Sequence, residues 1–109
     1  MTQHDRGAEK PRDPRALRRE PAPEPFDAFR AFNAAVFRPG ALDVKTKELI
    51  ALAVAHVTQC ERCIQGHTRQ LRKLGATKSE LMEAIWVAAE TRAGGTYAHA
   101  LVALEAWDD

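Results

Sequence analysis

Glu48-Leu-Ile-Ala-Leu-Ala-Val-Ala-His56-Val-Thr-Gln-Cys60-Glu-Arg62-Cys63-Ile-Gln-Gly-His67 is the stretch that decides how this chain folds. Its first half is apolar on almost every side. Leu49, Ile50, Leu52, Ala53, Val54 and Val57 leave a helix no solvated face. Such a helix belongs in a core or between subunits. Asp43 supplies its start, because a carboxylate at that position can accept the unpaired N–H groups of a first turn. The spacing predicts a helix from Asp43 to about Thr58 and a short break at about Gln59. A further helix then runs from about Cys60 or Glu61 to Leu74, stopped by Gly75.

The pattern extends outward on both sides. Upstream, Phe26, Phe29, Phe32, Ala35 and Val36 recur at helical spacing, and Pro39-Gly40 ends the segment. Downstream, Thr77-Lys78-Ser79-Glu80 reads as a capping box. The helix behind it should reach about Arg92, with Leu81, Ala84, Ile85, Ala88 and Ala89 on one face. Gly94-Gly95 is expected to break the chain, and a last helix should run from about Thr96 to Trp107. No strand pattern and no repeat is visible. The expected fold is all-α, with five to six helices over residues 25–109. A folded part of about 85 residues makes a marginal core. The apolar helix and the alanine-rich faces would be better buried in a homo-oligomer.

Residues 1–24 read as a disordered or extended tail. They hold four of the six prolines, six Arg or Lys and five Asp or Glu, with Met1 and Leu17 as the large apolar residues. That composition buries too little surface to offset chain entropy. The whole chain of 109 residues is 45% hydrophobic and 6% aromatic, with a formal net charge of +1. This balance gives no electrostatic case for nucleic acid or an anionic membrane. No apolar run approaches the roughly 18 residues of a membrane span. The N-terminal residues lack the apolar centre of a signal peptide, so a cytoplasmic location is expected. In a reducing compartment, two cysteines three apart point to catalysis or metal binding rather than to a structural staple.

Cys60 and Cys63 can close a disulfide within one helical turn. A helix N-terminus favours the thiolate, which is the attacking form. His67 lies four residues after Cys63, on the same helix face, and could exchange a proton with it. Glu48 sits inside an apolar helix, where burial would raise its pKa and suit it to pass protons to His67. A zinc site built from Cys60, Cys63, His67 and Glu48 competes with this reading, but the second ligand cluster usual in structural sites is not visible. His56 reads as a helix-end or interface residue, His99 as a core or interface histidine, and Trp86 and Trp107 as packing residues.

Glu48, Cys60, Cys63 and His67 match the pattern E-x11-C-x-x-C-x-x-x-H of alkylhydroperoxidase-D-like proteins, within the wider carboxymuconolactone decarboxylase superfamily. The flanking runs Pro39-Gly-Ala-Leu-Asp and Gly75-Ala-Thr-Lys-Ser-Glu-Leu resemble the same group. The resemblance covers residues 26 to about 107 and implies a helical fold that assembles as trimers or hexamers. It implies hydroperoxide or disulfide reduction without a bound cofactor, Cys63 attacking the peroxide and Cys60 resolving the sulfenate. Glu48 and His67 would form the proton relay. The reductant implied is an external dithiol, for which a dihydrolipoyl group on a carrier protein is the family precedent. By analogy with thioredoxins, the more N-terminal and more exposed Cys60 would attack instead; the spacing of Cys63 to His67 favours Cys63. Arg62 departs from the pattern, since the peroxidases carry histidine there and a guanidinium cannot relay protons near neutrality. That departure keeps a general disulfide reductase or a redox sensor in view. A lactone decarboxylase, the superfamily's other activity, does not use a cysteine pair.

Overall fold

The structure is a computed structural model that describes residues 13–109, and among these every regular element is an α-helix. The chain divides into two units, residues 1–36 and 37–109. In the first, α1 spans Pro14–Arg19 and α2 spans Pro23–Val36. The tail reading is corrected within 13–24; its remainder, residues 1–12, lies outside the described residues. Asp13 caps α1 by accepting from the Arg15 N–H at 2.9 Å, and Pro14 fills the first-turn position where a missing N–H costs nothing. Arg19 then forks onto Asp27 of α2, Nε to Oδ1 and Nη2 to Oδ2, both at 2.8 Å. Local capping and this ion pair supply the order that composition did not suggest. Phe29 and Phe32 lie with ring centroids 6.4 Å apart on the exposed surface of α2.

The second unit holds α3 (Val44–Thr58), α4 (Glu61–Lys73), α5 (Lys78–Ala98) and α6 (Ala100–Trp107). Asp43 caps α3 as expected, accepting from the Thr46 N–H at 2.8 Å. Thr77 and Glu80 form the full capping box of α5, at 3.1 and 2.9 Å. Gly75 ends α4 with φ +82°, the left-handed conformation that favours glycine. Its neighbour Ala76 returns an N–H to the Leu71 carbonyl at 2.9 Å. α3 packs against both α4 and α5, and Leu52, Ala55, Leu71 and Ala88 form the buried apolar centre. The side chain of Glu48 is buried as well.

Two expectations fail in the C-terminal third. Gly94-Gly95 does not break the chain: α5 runs through both glycines and turns only at His99. Glycine lowers helix stability by about 1 kcal/mol relative to alanine but keeps its N–H and C=O, so the ladder can continue. It does continue here, with the His99 N–H on the Gly95 carbonyl at 3.1 Å. The second failure concerns Trp86 and Trp107, read as packing residues. Within the chain they are 67% and 87% exposed. Ile50 and Val54 of α3 and Leu101 and Leu104 of α6 are exposed too. α3 is thus apolar all round, as the sequence indicates, yet covered on one side alone. Among the described residues, no helix is long and apolar enough to cross a membrane.

Candidate active site

The turn from α3 into α4 sets the site. Gln59 takes a left-handed conformation, φ 57°, and the Cys60 N–H closes back onto the Ala55 carbonyl at 3.0 Å. A non-glycine residue in this region is uncommon and tends to mark functional turns. The turn makes Cys60 the N-cap of α4. Its sulfur accepts the Cys63 N–H at 3.3 Å, a place usually taken by a hydroxyl or carboxylate oxygen. Cys60 and Cys63 are joined as a disulfide, with their Cα atoms 5.2 Å apart. Cys63 is exposed and Cys60 half-buried, the reverse of the thioredoxin-based expectation that Cys60 is the more accessible. Both sulfurs thus sit at the positive end of α4, where reduction would leave a thiolate stabilised by free N–H groups.

Glu48 and His67 form the second pair. Glu48 is 6% exposed, and His67 Nδ1 lies 3.0 Å from its Oε2 and 3.2 Å from its Oε1. An ionised carboxylate only accepts, so Nδ1–H is the donor and the ring presents Nε2 to whatever approaches. The buried acid fixes the tautomer and the tilt of the ring. The Phe37 ring lies near the His67 ring, centroids 5.6 Å apart and planes inclined by 30°. Phe37 escaped the sequence reading: it is thirty residues away in a loop, and no periodicity connects it to α4.

The structure therefore brings Glu48 to His67 and Cys60 to Cys63. Among the described residues, no hydrogen bond joins the two pairs. His67 stands one helical turn beyond Cys63 on α4, so the pairs follow one another along the helix. Every buried side-chain nitrogen and oxygen among the described residues has a partner. His56, read as a helix-end residue, is one: its Nδ1 bonds the Leu52 carbonyl at 2.8 Å.

An all-helical chain with a two-residue-spaced disulfide at a helix start, backed by a buried Glu–His pair, defines a class of candidate thiol-active helical proteins. The chain belongs to the carboxymuconolactone decarboxylase family, whose sequence model matches residues 23–106, and that family includes alkylhydroperoxidase-D-like proteins. It is 60% identical over 83 residues to a Paracoccus denitrificans protein known as uncharacterized protein 4 in the cox locus, covering 76% of this chain and 75% of the relative. A carboxymuconolactone decarboxylase family protein of Legionella pneumophila superposes with a TM-score of 0.69 at 42% identity, over 85% of this chain and 83% of that one. A Thermotoga maritima member of the family, with a suggested part in antioxidative response, superposes with a TM-score of 0.55 at 33% identity, over 72% and 91%.

Proposed function

We propose that the protein is a thiol-dependent oxidoreductase that reduces organic hydroperoxides through Cys63 and Cys60. The observation that carries this reading is a disulfide at the start of α4, one turn before a histidine locked onto a buried carboxylate. The antioxidative association of the Thermotoga maritima relative supports it.

The chemistry balances as follows. The Cys63 thiolate attacks the terminal peroxide oxygen; an S–O bond forms and the O–O bond breaks. The leaving alkoxide takes a proton and departs as an alcohol. Cys60 then attacks the Cys63 sulfenic sulfur, forming the S–S bond and releasing the oxygen as water. An external dithiol, by family precedent a dihydrolipoyl group, returns both cysteines to thiols as it is itself oxidised. Glu48 orients His67, and His67 Nε2 takes and returns the protons. Exposure of Cys63 suits it for the attack, and half-burial of Cys60 suits it for resolution. The exposed apolar residues of α3 and α6 support assembly into a homo-oligomer.

Arg62 favours a second reading. It is exposed between the two cysteines, it cannot relay a proton, and its charge would draw an anionic disulfide substrate rather than aid peroxide cleavage. One experiment separates the two. Reduced protein is mixed with an organic hydroperoxide while free thiols and intact mass are followed. The peroxidase reading expects loss of both thiols, a fall of about two mass units, and no such fall in the Cys63→Ser variant. Thiols that resist peroxide but oxidise with a disulfide substrate would establish the reductase instead. Peroxide turnover, or lactone decarboxylation, in the double Cys→Ser variant would remove the cysteines from the chemistry.

A further inference from the structure

The outward side of α4 carries a line of unanswered positive charge. Arg62, Arg69 and Lys73 follow one another at seven and four residues, which sets them in one row along the helix, with Arg72 beside it. All four are exposed, and among the described residues none has an ion-pair partner. An ordinary solvated helix places acids three or four residues from its cations. Here Gln65 stands three after Arg62 and four before Arg69, where an acid would answer both. Arg69 instead meets Arg72 and Lys73 at those spacings, and like charges repel.

Folding does not account for the row. The helix dipole favours Arg72 and Lys73, which lie in the last turn of α4, but it gives Arg69 no reason and opposes Arg62 in the first turn. Arg62 favours a thiolate at either neighbouring cysteine. Arg69 and Lys73 stand about 10 and 16 Å further along the axis at 1.5 Å per residue, too far through water to do the same. Yet the row starts at the disulfide: Arg62 lies between Cys60 and Cys63 in the chain, and Cys63 is exposed.

We propose, resting on the thiol cycle above, that the outward side of α4 docks the protein that reduces the Cys60–Cys63 disulfide, a dithiol carrier with an acidic surface. Charge complementarity selects this occupant. A small anionic thiol would meet Arg62 and leave Arg69 and Lys73 unanswered, whereas an acidic protein segment spans the whole row. Nucleic acid would also meet the charge, but it brings no thiol, and α4 has no Phe, Tyr or Trp on which a base could stack. In the step itself, one carrier thiolate attacks the exposed Cys63 sulfur. A mixed S–S bond forms, the Cys60–Cys63 bond breaks, and Cys60 leaves as a thiolate that takes a proton. The second carrier thiolate then attacks the carrier's own sulfur in the mixed disulfide and releases Cys63. The carrier ends as a disulfide, both cysteines end as thiols, and the two protons of the carrier thiols are transferred with the electrons.

The test mixes the full chain in its disulfide form with a dithiol peptide flanked by glutamates, the same peptide flanked by glutamines, dihydrolipoate and dithiothreitol. Alkylation and intact mass give the rate of disulfide loss, and each rate is divided by that with dithiothreitol, so that changes in the disulfide itself cancel. The glutamate peptide should outpace the glutamine peptide at least about fivefold at ~20 mM salt and by less than about twofold at ~0.5 M. Arg69→Gln with Lys73→Gln should cut that ratio at least about threefold, while Arg92→Gln, which removes an exposed cation of α5, should leave it in place. The peptide series on the parent chain needs no variant to fold. Four results overturn the proposal: equal rates for the two peptides at low salt, a ratio unmoved by the double variant, an equal fall for dihydrolipoate in that variant, or saturable binding of an oligothymidylate tighter than that of the glutamate peptide. Failure of the thiol cycle looks different: dithiothreitol opens the disulfide, neither hydroperoxide nor a disulfide substrate restores it, and the proposal falls with the cycle.

Discussion

The α3–α4 corner and the α5–α6 end are built on opposite terms. At the corner, the caps and the buried polar groups are answered within one chain, although Ile50 and Val54 of α3 stay exposed. Asp43 caps α3, Cys60 caps α4, Leu52 and Leu71 are sealed, and the one buried acid holds a histidine. At the α5–α6 end, Trp86, Tyr97, Leu101 and Trp107 are all more than 60% exposed, and α6 starts without a side-chain cap. The difference separates two tasks. The chemistry proposed for the corner needs fixed geometry, and one subunit supplies it. The far end presents exposed apolar side chains, which the proposed homo-oligomer would cover and so stabilise.

The sharpest way to break this contrast is to truncate one residue from each end. Leu71→Ala opens a cavity at a position with 0% exposure and should cost about 2–5 kcal/mol in chemical denaturation. Trp107→Ala should leave the unfolding free energy of dilute, dissociated chain within about 0.5 kcal/mol of the parent, while moving the sedimentation profile toward monomer. A large intrinsic loss from Trp107→Ala would mean that the far end is part of the subunit core after all.

A smaller effect sharpens the account of the corner itself. Glu48→Gln keeps the shape but withdraws the charge that orients His67. The rate of Cys63 oxidation by hydroperoxide should fall about a hundredfold, within the range typical of acid–base groups, with the fold retained by circular dichroism. Full activity in this variant would reduce the pair to a structural contact.

Acid titration probes the caps. Hydrogen bonding to Lys45, then to the Thr77 N–H, holds the Glu80 carboxyl below its ordinary value of 4.5. The Thr46 N–H does the same for Asp43, below 3.8. A lowered folded-state pKa contributes stability that is fully present above the unfolded value and is lost as pH falls through the folded one. Glu80→Gln and Asp43→Asn should therefore shift the urea midpoint downward near neutrality and converge with the parent as pH falls through the lowered folded-state values. A gap that persists unchanged in acid would mean that the charge is not what the caps supply.

The corner was also the legible end. Caps, breaks and the apolar run are local, and a residue such as Asp43 or Thr77 announces its job to the three residues after it. Glu48 and Cys60 to His67 were legible as spacing. That Glu48 and His67 meet followed only from the packing of α3 on α4, and Phe37 beside His67 had no local signal at all. The helix Pro14–Arg19 was missed because charge and proline content outweighed a cap and an ion pair eight residues apart. The α5–α6 end misled for a related reason. Two adjacent glycines suggest a stop, but a helix that has already run from Lys78 loses less by continuing than by exposing its ladder.

Gly95 turns that misreading into a measurement. Its helical conformation needs no glycine, and a Cβ placed there meets nothing within 4 Å inside the chain. Gly95→Ala should thus stabilise the dissociated subunit by about 0.5–1 kcal/mol, the entropy that glycine loses in a helix. The same variant assayed at assembling concentrations reads the surroundings of the far end. If the gain survives, the exposed face of α5 stays open at Gly95 in the oligomer. If it turns into a loss of association, a neighbouring subunit approaches the backbone there, and glycine is present for that contact rather than for the helix.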